Sequence, residues 1–392
     1  MKRSLKLLAI HVYALFCLQA SAGTITVTST ADSGANTLRQ ALAAANDGDT
    51  IDFNLTYPAT IALTSGELVV FDKSITISGP GANNLAVDGN GQSGVFYVNS
   101  RDGENVTIDG LTITNGFNDY GGGIVNDGEY EDRTTLTITN CTISGNSAGI
   151  AGGGILTIGF LGGATLTITN CTISGNSAGV SGGGIFSGAG SGLSFSMVTI
   201  SNSTISGNSA GDGGGMYNNG GGASSAALTV SNSTISGNSA TGNGDGIYNN
   251  HQQGLGGVTL DLGSTILNTG GSGENIFNIG GTVTSHGYNL SSDHGGGYLT
   301  GPGDQINTDP LLGPLQNNGG PTLTHRPSTG SPAIEAGDPT FTPPPFYDQR
   351  GPGFDRVVNG RIDIGSFEVQ AGKPPVHPPP THRPRPTPRP RP

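Results

Sequence analysis

A repeat of about thirty residues constrains the fold of this chain more than any other feature of its sequence. The motif LTITNCTISGNSAG and its close variants start at Leu136, Leu166, Val198 and Leu228. Fainter copies start at Ile75, Val106 and Val258. A unit this short cannot bury an apolar face by itself, so the units must stack and bury their faces against one another.

Each repeat contains three short segments, which read LTITN, CTISG and the stretch after a Gly-Gly-Gly-Ile element. The first two alternate apolar residues with Thr or Ser, the pattern of a strand with one buried face. Glycine clusters separate the segments and exclude a continuous helix. The pattern predicts an all-β fold, a right-handed parallel β-helix (a solenoid) of about eight coils, whose neighbouring strands lie about 4.8 Å apart.

Equivalent residues of successive coils are expected to form columns along this solenoid. One predicted internal column consists of Ile108, Ile138, Ile168, Ile200, Val230 and Leu260, and a second of Ile113, Ile143, Ile173, Ile205 and Ile235. A structural ladder is predicted for Asn146, Asn176, Asn208 and Asn238, at the corner after the second strand. Stacked amides can hydrogen-bond from coil to coil; the alternative is a polar binding stripe.

These repeats resemble those of right-handed β-helix surface proteins, including the polymorphic outer-membrane-protein type, whose GGA-I motif reads GGGI here. The resemblance implies an extracellular or cell-surface protein and assigns residues 75–286 to the repeats.

The first 22 residues read as a secretory signal peptide. Lys2, Arg3 and Lys6 precede an apolar run from Leu7 to Leu18, and Ala20-Ser21-Ala22 forms a small-residue cleavage site. The alternative is a retained amphipathic helix. No later apolar segment reaches membrane-spanning length, so the sequence predicts a secreted or bacterial cell-surface protein without a transmembrane segment in the mature chain.

Residues 23–74 are expected to form an N-terminal cap and first coil, because an open solenoid end would pair with other chains. Leu38, Ala41, Leu42 and Ala45 fall on one helical face and predict a short capping helix. The segment resembles the N-terminal caps of secreted bacterial β-helix proteins. Arg39 and the later Asp49 are interpreted as salt-bridged or solvent-exposed rather than as a site.

Residues 287–370 are expected to form an irregular C-terminal cap. They contain GYNLSSD from Gly287, NTDPLLGPLQNNGG from Asn307, DQRG from Asp348 and DIGSFE from Asp363. This series resembles the choice-of-anchor Q region found near the C-terminus of secreted bacterial β-helix proteins. Residues 371–392 are rich in Pro and Arg and favour polyproline II over helix or sheet. They are interpreted as a disordered spacer or as an electrostatic tether to an anionic envelope polymer.

The body of the chain is acidic, whereas its two ends are basic. The formal charge of the whole chain is −12, and the three cations of the first 22 residues and the five of the tail leave the body at −20. Phosphate binding requires a basic surface, so an acidic body excludes nucleic acid as its partner.

Few residues are candidates for specific chemistry. Cys141 and Cys171 occupy the same repeat position and would lie within disulfide range in adjacent coils; packed free thiols are the alternative. The densest acidic stretch contains Asp127, Glu129, Glu131 and Asp132. These residues are weak metal candidates, for Ca²⁺ if any cofactor is present, and a solvated loop is the alternative. His286, Asp293 and His294 form a second, weaker metal hypothesis.

The outward Thr and Ser residues of the first strand form a hydroxyl ladder, namely Thr137, Thr139, Thr167, Thr169, Thr199, Ser201, Thr229 and Ser231. Such a ladder suits sugar contacts and resembles ice-binding β-helices, although strand propensity alone also favours threonine. No catalytic residue, nucleophile elbow or P-loop is evident. The sequence therefore favours a non-catalytic adhesive or structural role. The alternative is a carbohydrate-active enzyme (a polysaccharide lyase or hydrolase) or a carbohydrate-binding β-helix, with a polysaccharide or cell-envelope polymer as partner.

Overall fold

The computed structural model describes residues 22–100, 103–129, 133–190, 192–269 and 273–370. The predicted signal peptide up to Ser21 and the Pro/Arg-rich tail lie outside these residues. The described chain is an all-β right-handed parallel solenoid of about eight turns with a single α-helix, as the repeats predict.

Four parallel sheets run along the solenoid, and each coil visits them in the order A, B, D and C. Sheet A contains Thr24–Val27, Thr50–Phe53, Ile75–Ser78, Val106–Asp109, Arg133–Thr139, Gly163–Thr169, Phe195–Ser201, Ser225–Ser231, Val258–Gly263 and Thr282–Ser285. Sheet B contains Ala59–Ala62, Leu85–Asp88, Thr112–Thr114, Thr142–Ser144, Thr172–Ser174, Thr204–Ser206, Thr234–Ser236, Ile266–Asn268 and Leu290–Ser291.

Sheet D is the shortest and contains Phe117–Tyr120, Ser147–Ala151, Ser177–Ala178, Ser209–Ala210 and Ser239–Ala240. Sheet C contains Leu68–Phe71, Phe96–Asn99, Ile124–Glu129, Ile155–Phe160, Ile185–Ala189, Met216–Gly222, Ile247–Gly254 and Ile276–Ile279. Sheet D adds a fourth strand to the three predicted for each coil. Most of its strands have only two residues, too few to give an alternating pattern.

The internal columns follow the predicted register except at one position. Ile138 pairs with Ile108 and Ile168, and the side chains of all three are fully buried. Val230, however, pairs with Leu262, so the assignment of Leu260 to this column was wrong. The faint repeat copy in that coil begins at Leu260 rather than at Val258. Its VTLDL pattern was ambiguous, because apolar residues face inward from either starting point.

The three glycines of the Gly-Gly-Gly-Ile turn serve separate purposes, although Asp245 takes the middle position in the last strong copy. In one copy, Gly152 has a φ of 70°, in the left-handed region. A Cβ on Gly153 would lie 2.3 Å from the Ser177 carbonyl oxygen. A Cβ on Gly154 would lie 2.6 Å from the Gly184 carbonyl oxygen and 3.1 Å from the amide of Asn176. The turn therefore lets adjacent coils approach until their backbones touch.

The predicted asparagine positions form a fully buried hydrogen-bonded ladder. Nδ2 of Asn146 donates to Oδ1 of Asn176 at 3.0 Å and to the Ile113 carbonyl at 3.1 Å. The same two bonds recur from Asn176 to Asn208, and from Asn208 to Asn238. Each Oδ1 also accepts the backbone N–H of the preceding coil. The ladder lies inside the solenoid and presents no polar stripe to a ligand.

A second asparagine ladder, absent from the sequence-based prediction, lies at the corner between sheets A and B. Its members Asn140, Asn170, Asn202 and Asn232 have φ values of 47–57°. Asparagine adopts this left-handed conformation more readily than most residues. Nδ2 of Asn202 donates to Oδ1 of Asn170 at 2.7 Å, which links neighbouring coils at this corner.

The N-terminal end is closed by the helix Leu38–Ala44, which packs Leu38, Ala41 and Leu42 against the first coils. Thr37 caps its first turn, and Nζ of Lys73 donates to two carbonyls at its C-terminus. Arg39 forms a salt bridge with Asp32 at 2.6 Å. Asp49 accepts the backbone N–H groups of Gly23 and Asn46 instead, so Arg39 and Asp49 have separate structural partners.

The C-terminal region closes the last coil and then folds back along the side of the solenoid. Residues 310–370, here called the C-terminal segment, include an antiparallel hairpin of Leu312–Gln316 and Thr324–Pro327. Ala333 and Ile364 of this segment pack on the outward Ile266 and on Leu290 of sheet B. No helix among the described residues combines the length and hydrophobicity that a bilayer span requires.

We expect Ile168→Ala to lower the free energy of unfolding by about 2–5 kcal/mol, because it leaves a cavity in a fully buried column. Thr167→Ala, on the outer side of the same strand, should cost less than about 1 kcal/mol. Chemical denaturation of both variants checks the expectation. Equal midpoints would show that the column does not hold the coils together.

Candidate functional site

The outer face of sheet A carries a column of threonines that extends far beyond the strongest repeats. Register pairing aligns ten outward residues in this column, nine of them threonine: Thr24, Thr50, Thr76, Thr107, Thr137, Thr167, Thr199, Thr229, Asp261 and Thr284. At about 4.8 Å per coil the column is about 43 Å long. We call it the threonine column.

A second outward column runs beside it and contains Ser78, Asp109, Thr139, Thr169, Ser201 and Ser231. Oγ1 of Thr139 donates to Asp109 at 2.7 Å, and the hydroxyls of Thr169 and Ser201 are 3.2 Å apart. Because the side chains of both columns are mostly half-exposed, they present a flat strip of donors and acceptors to solvent.

Carboxylates on this face are spread along the solenoid. Asp109 and Asp261 are separated by five coils, or about 24 Å. Asp52 lies two coils from Asp109, or about 10 Å, which is close to the upper limit of about 9.5 Å between the two carboxyl groups of an inverting glycosidase. Asp109 also accepts hydrogen bonds from Thr139 and Asn140, which favours a structural role.

The equivalent hydroxyl face of sheet B is already occupied by the protein's own C-terminal segment. Oγ1 of Thr172 donates to the Leu323 carbonyl at 2.6 Å, and Oγ1 of Thr204 donates to Oε1 of Gln349 at 2.6 Å. Oγ1 of Thr234 accepts the backbone N–H of Ser366 at 3.1 Å. Outward threonines of this solenoid therefore hydrogen-bond polar groups from three separate stretches of the C-terminal segment.

Gln349 bonds to the solenoid through both ends of its side-chain amide. Its Nε2 donates to the Cys171 carbonyl at 3.1 Å and to Thr172 at 3.0 Å, and its side chain is fully buried. It also donates to Thr322 and to the Leu323 carbonyl of its own segment. The DQRG motif thus docks the C-terminal segment on sheet B.

Charged residues of the same two motifs form a buried cluster behind Gln349. The guanidinium of Arg350 pairs with Asp348 and lies between the rings of Phe354 and Phe367, 3.9 and 3.6 Å from their centroids. Arg356 is fully buried, and its Nη2 donates to Asn232 of the corner ladder at 3.0 Å. Apart from that contact, the cluster bonds mainly within the segment and fixes its shape.

Glu368 is the most strongly perturbed acid in this cluster. Burial, reinforced by the nearby charge of Asp363, raises the pKa of Glu368 to about 9. Its Oε2 accepts the backbone N–H of Asp363 at 2.8 Å. The Glu368 side chain is therefore neutral in the folded protein at pH 7, which reduces the charge buried beside Arg356.

The acidic stretch proposed for calcium is only partly described. Oδ2 of Asp127 accepts the hydroxyl hydrogen of Tyr97 at 3.0 Å on the outer side of sheet C. Glu129 ends its strand, and Glu131 and Asp132 lie outside the described residues. The calcium hypothesis for this stretch therefore stays a prediction.

The three residues of the weaker metal hypothesis have different partners. Nε2 of His286 lies 3.2 Å from Oδ1 of Asp261. The carboxylate of Asp293 accepts hydrogen bonds from Asn275, Ser291 and Gly295, while His294 is exposed. Across the described ranges, no three His, Cys, Asp or Glu side chains gather as metal ligands would.

Both predicted cysteines are buried free thiols in adjacent coils. The Cys141 backbone N–H donates to Sγ of Cys171 at 3.4 Å, and the Cys171 N–H donates to Oγ of Ser203 at 3.1 Å. Ser233 continues the same column. Burial raises the pKa of the Cys141 thiol. In this structure the thiols therefore serve as hydrogen-bond acceptors between coils, a role that serine performs in the next coils.

Gln349→Ala is expected to loosen the C-terminal segment, because it removes the hydrogen bonds of the Gln349 side chain to the Thr204 hydroxyl and to the Cys171 carbonyl. Each such bond contributes about 0.5–1.5 kcal/mol. Limited proteolysis should cut residues 310–370 faster in this variant. Gln370→Ala, which removes hydrogen bonds to the Asp355 and Glu368 carbonyls within the segment, is the matched control. Equal cleavage rates in the two variants would contradict the docking role.

Stability should fall as pH rises from 7 to 9, since unfolding releases the Glu368 proton. The ordinary pKa of a glutamate is 4.5 and the folded value is about 9, so the folded state binds more protons over this range. Glu368→Gln should flatten the slope of the thermal midpoint against pH. His325, whose pKa burial lowers from 6.5, does not titrate in this window. An unchanged slope would place the titrating group elsewhere.

Comparisons with known proteins agree with the fold. Residues 69–255 match the family model described as right handed beta helix region, and no curated protein sequence matches the chain. Among solved structures, the crystal structure of pectate lyase Pel9A is 15% identical, with a TM-score of 0.46, and the alignment covers 89% of this chain and 97% of that one. That likeness is too distant to bear on activity. The choice-of-anchor Q resemblance stays a prediction, and the fold shown is the right-handed parallel β-helix.

Proposed function

We propose that this protein is a non-catalytic binding protein of the cell exterior and that the outer face of sheet A holds an extended neutral polysaccharide. The observation that carries the proposal is the threonine column, which aligns nine hydroxyl side chains in register over about 43 Å. A hydroxyl group both donates and accepts hydrogen bonds, so a row of them complements the hydroxyls of a sugar chain.

The occupied face of sheet B supports this interpretation. There, Thr172, Thr204 and Thr234 hold a polar segment of the same protein by hydrogen bonds of 2.6–3.1 Å. The equivalent side chains of sheet A, such as Thr137, Thr167 and Thr199, remain half-exposed or exposed. The same chemistry is therefore available on sheet A to a ligand that arrives from outside.

The negative charge of the protein favours a neutral polysaccharide over an anionic one. The body of the chain carries −20, and Asp52, Asp109 and Asp261 lie on the binding face itself. A polyanion such as a polyuronate would be repelled at this surface. A neutral chain meets no such penalty, so we assign the face to neutral glycans.

An adhesive role follows from the predicted export signal together with a binding face that runs along the whole solenoid. Catalysis is left out of the proposal because Asp52, Asp109 and Asp261 are spread along sheet A and Asp109 already accepts hydrogen bonds from Thr139 and Asn140. A protein that binds a polymer along many coils without cleaving it would attach its bearer to a surface or matrix that contains the polymer.

The triple variant Thr137→Val, Thr167→Val and Thr199→Val tests the binding face. Valine keeps the branched shape and strand propensity of threonine but removes the hydroxyl. With each hydrogen bond contributing about 0.5–1.5 kcal/mol, the variant should bind a neutral β-glucan, xylan or mannan at least about tenfold more weakly. Affinity electrophoresis against each polysaccharide measures the change.

Ser177→Ala with Ser209→Ala, on the outer face of sheet D, is the control and should bind as the parent protein does. The panel also includes polygalacturonate, with and without calcium, and released oligosaccharides are assayed in parallel. Equal binding by the triple variant would remove sheet A as the site. Product release from any polymer would replace the binding proposal with an enzyme.

A further inference from the structure

One flank of the outer face of sheet A is apolar, whereas its centre carries the hydroxyl groups of the threonine column. The strand Phe195–Ser201 shows this change along its length, because its outward residues are apolar at its start and hydroxyl-bearing at its end. From the preceding turn onward the outward residues are Leu193, Phe195, Met197, Thr199 and Ser201. Successive outward positions of a strand lie about 7 Å apart, so Met197 is the direct neighbour of Thr199 in the threonine column.

Neighbouring coils continue this apolar flank along the solenoid. The pairing of the strands that follow puts Leu161 and Leu255 at the position of Leu193, one coil before it and two coils after it. The exposed fractions of these leucines are 47% for Leu161, 90% for Leu193 and 96% for Leu255, and that of Met197 is 50%. We call Leu161, Leu193, Phe195, Met197 and Leu255 the apolar flank.

The Phe195 ring rests on the backbone of the preceding coil. A Cβ on Gly163 would lie 2.2 Å from two atoms of this ring, so the ring occupies the space that a side chain at Gly163 would fill. The guanidinium carbon of Arg133 lies 5.3 Å from the centroid of the same ring. Because a guanidinium group carries five N–H donors, the flank combines apolar surface with a cationic hydrogen-bond donor.

This combination restricts the ligand that the outer face of sheet A can accept. Contiguous exposed apolar side chains mark binding surfaces. Groups that project about 7 Å sideways from a chain on the threonine column would meet Met197 and then Phe195. A free sugar hydroxyl would lose water there without gaining a hydrogen bond, which is unfavourable. An ester-linked acetyl group presents a methyl group for the apolar side chains and a carbonyl oxygen for the Arg133 donor.

We propose that the neutral glycan of the threonine column carries O-acetyl esters and that the apolar flank binds them. The inference rests on the proposed function, because the threonines hold the sugar chain itself. The methyl groups pack on Phe195, Met197 and Leu193, and a carbonyl oxygen beside the Phe195 ring accepts a hydrogen bond from Arg133. Acetyl esters leave the polymer uncharged, as the charge of −20 on the body of the chain favours.

The test compares xylan and glucomannan in their acetylated forms with the same polymers after alkaline removal of the esters. Affinity electrophoresis should show that the parent protein binds the acetylated forms at least about fourfold more tightly, the factor expected when one methyl group is buried. The double variant Leu193→Ser with Met197→Thr should bind both forms as weakly as the parent binds the deacetylated one. Met197→Thr introduces the residue that the preceding coil has at this position, Thr165. An unchanged thermal midpoint confirms that the double variant is folded.

Val180→Ser, which removes a 53% exposed side chain from the turn between sheets D and C, is the matched control and should keep the preference of the parent protein. Equal binding of both forms by the parent overturns the inference, and the glycan proposal survives if the triple threonine variant then loses both. Absence of binding to either form overturns the two proposals together. A preference that persists in the double variant excludes the apolar flank as its cause. Self-association that the double variant abolishes, without any preference for acetylated polymer, assigns the flank to a second copy of the chain.

Discussion

Direct backbone contact between coils is the constraint on which this structure depends. The Gly-Gly-Gly turn permits it, since a Cβ at Gly154 would collide with both the carbonyl of Gly184 and the amide of Asn176. The asparagine amide fills the space that the glycines leave and donates to the next coil and to the preceding one. Because every buried donor of this ladder has a partner, the coils keep one spacing and one register. Each outward column, polar or apolar, takes its regularity from that spacing.

The same regularity explains what could be predicted from the sequence. A period of about thirty residues and a two-residue alternation are enough to place Ile138 and Ile143 inward and to predict the coil. They also located Asn146 and its equivalents. The pattern fails where it becomes ambiguous: in VTLDL two phases place apolar residues inward, so the register of Leu260 was misread. The two-residue strands of sheet D are too short to show a two-residue alternation, and the left-handed conformation of Asn140 and Asn170 was not inferred although both recur in the LTITN segment.

Contacts between distant parts of the chain could not be predicted from the sequence. The DQRG and DIGSFE motifs suggested a cap at the end of the solenoid, but Gln349 lies against Thr172 and Thr204, far from the last coil. No periodicity connects residues that are 145–177 positions apart. The hydroxyl ladder was foreseen over four coils, whereas its continuation to Thr24 and Thr284 depends on register pairs that only the structure supplies. The docking of the C-terminal segment depends on polar side chains that become buried against the solenoid. The sequence shows that these side chains are polar but does not show that they are buried.

Because the C-terminal segment runs along the side of the solenoid, it would determine how the solenoid is oriented on any support to which later residues attach it. A solenoid attached through the end of its last coil would have its long axis perpendicular to the support. Here Gln370 bonds to Asp355 of the same segment, and the next residue, Arg356, binds Asn232 of a late coil. A linkage at that point would act on the side of the solenoid, nearer its last coil than its first. The support would then lie next to sheet B, with sheets A and D on either side of it and sheet C facing away.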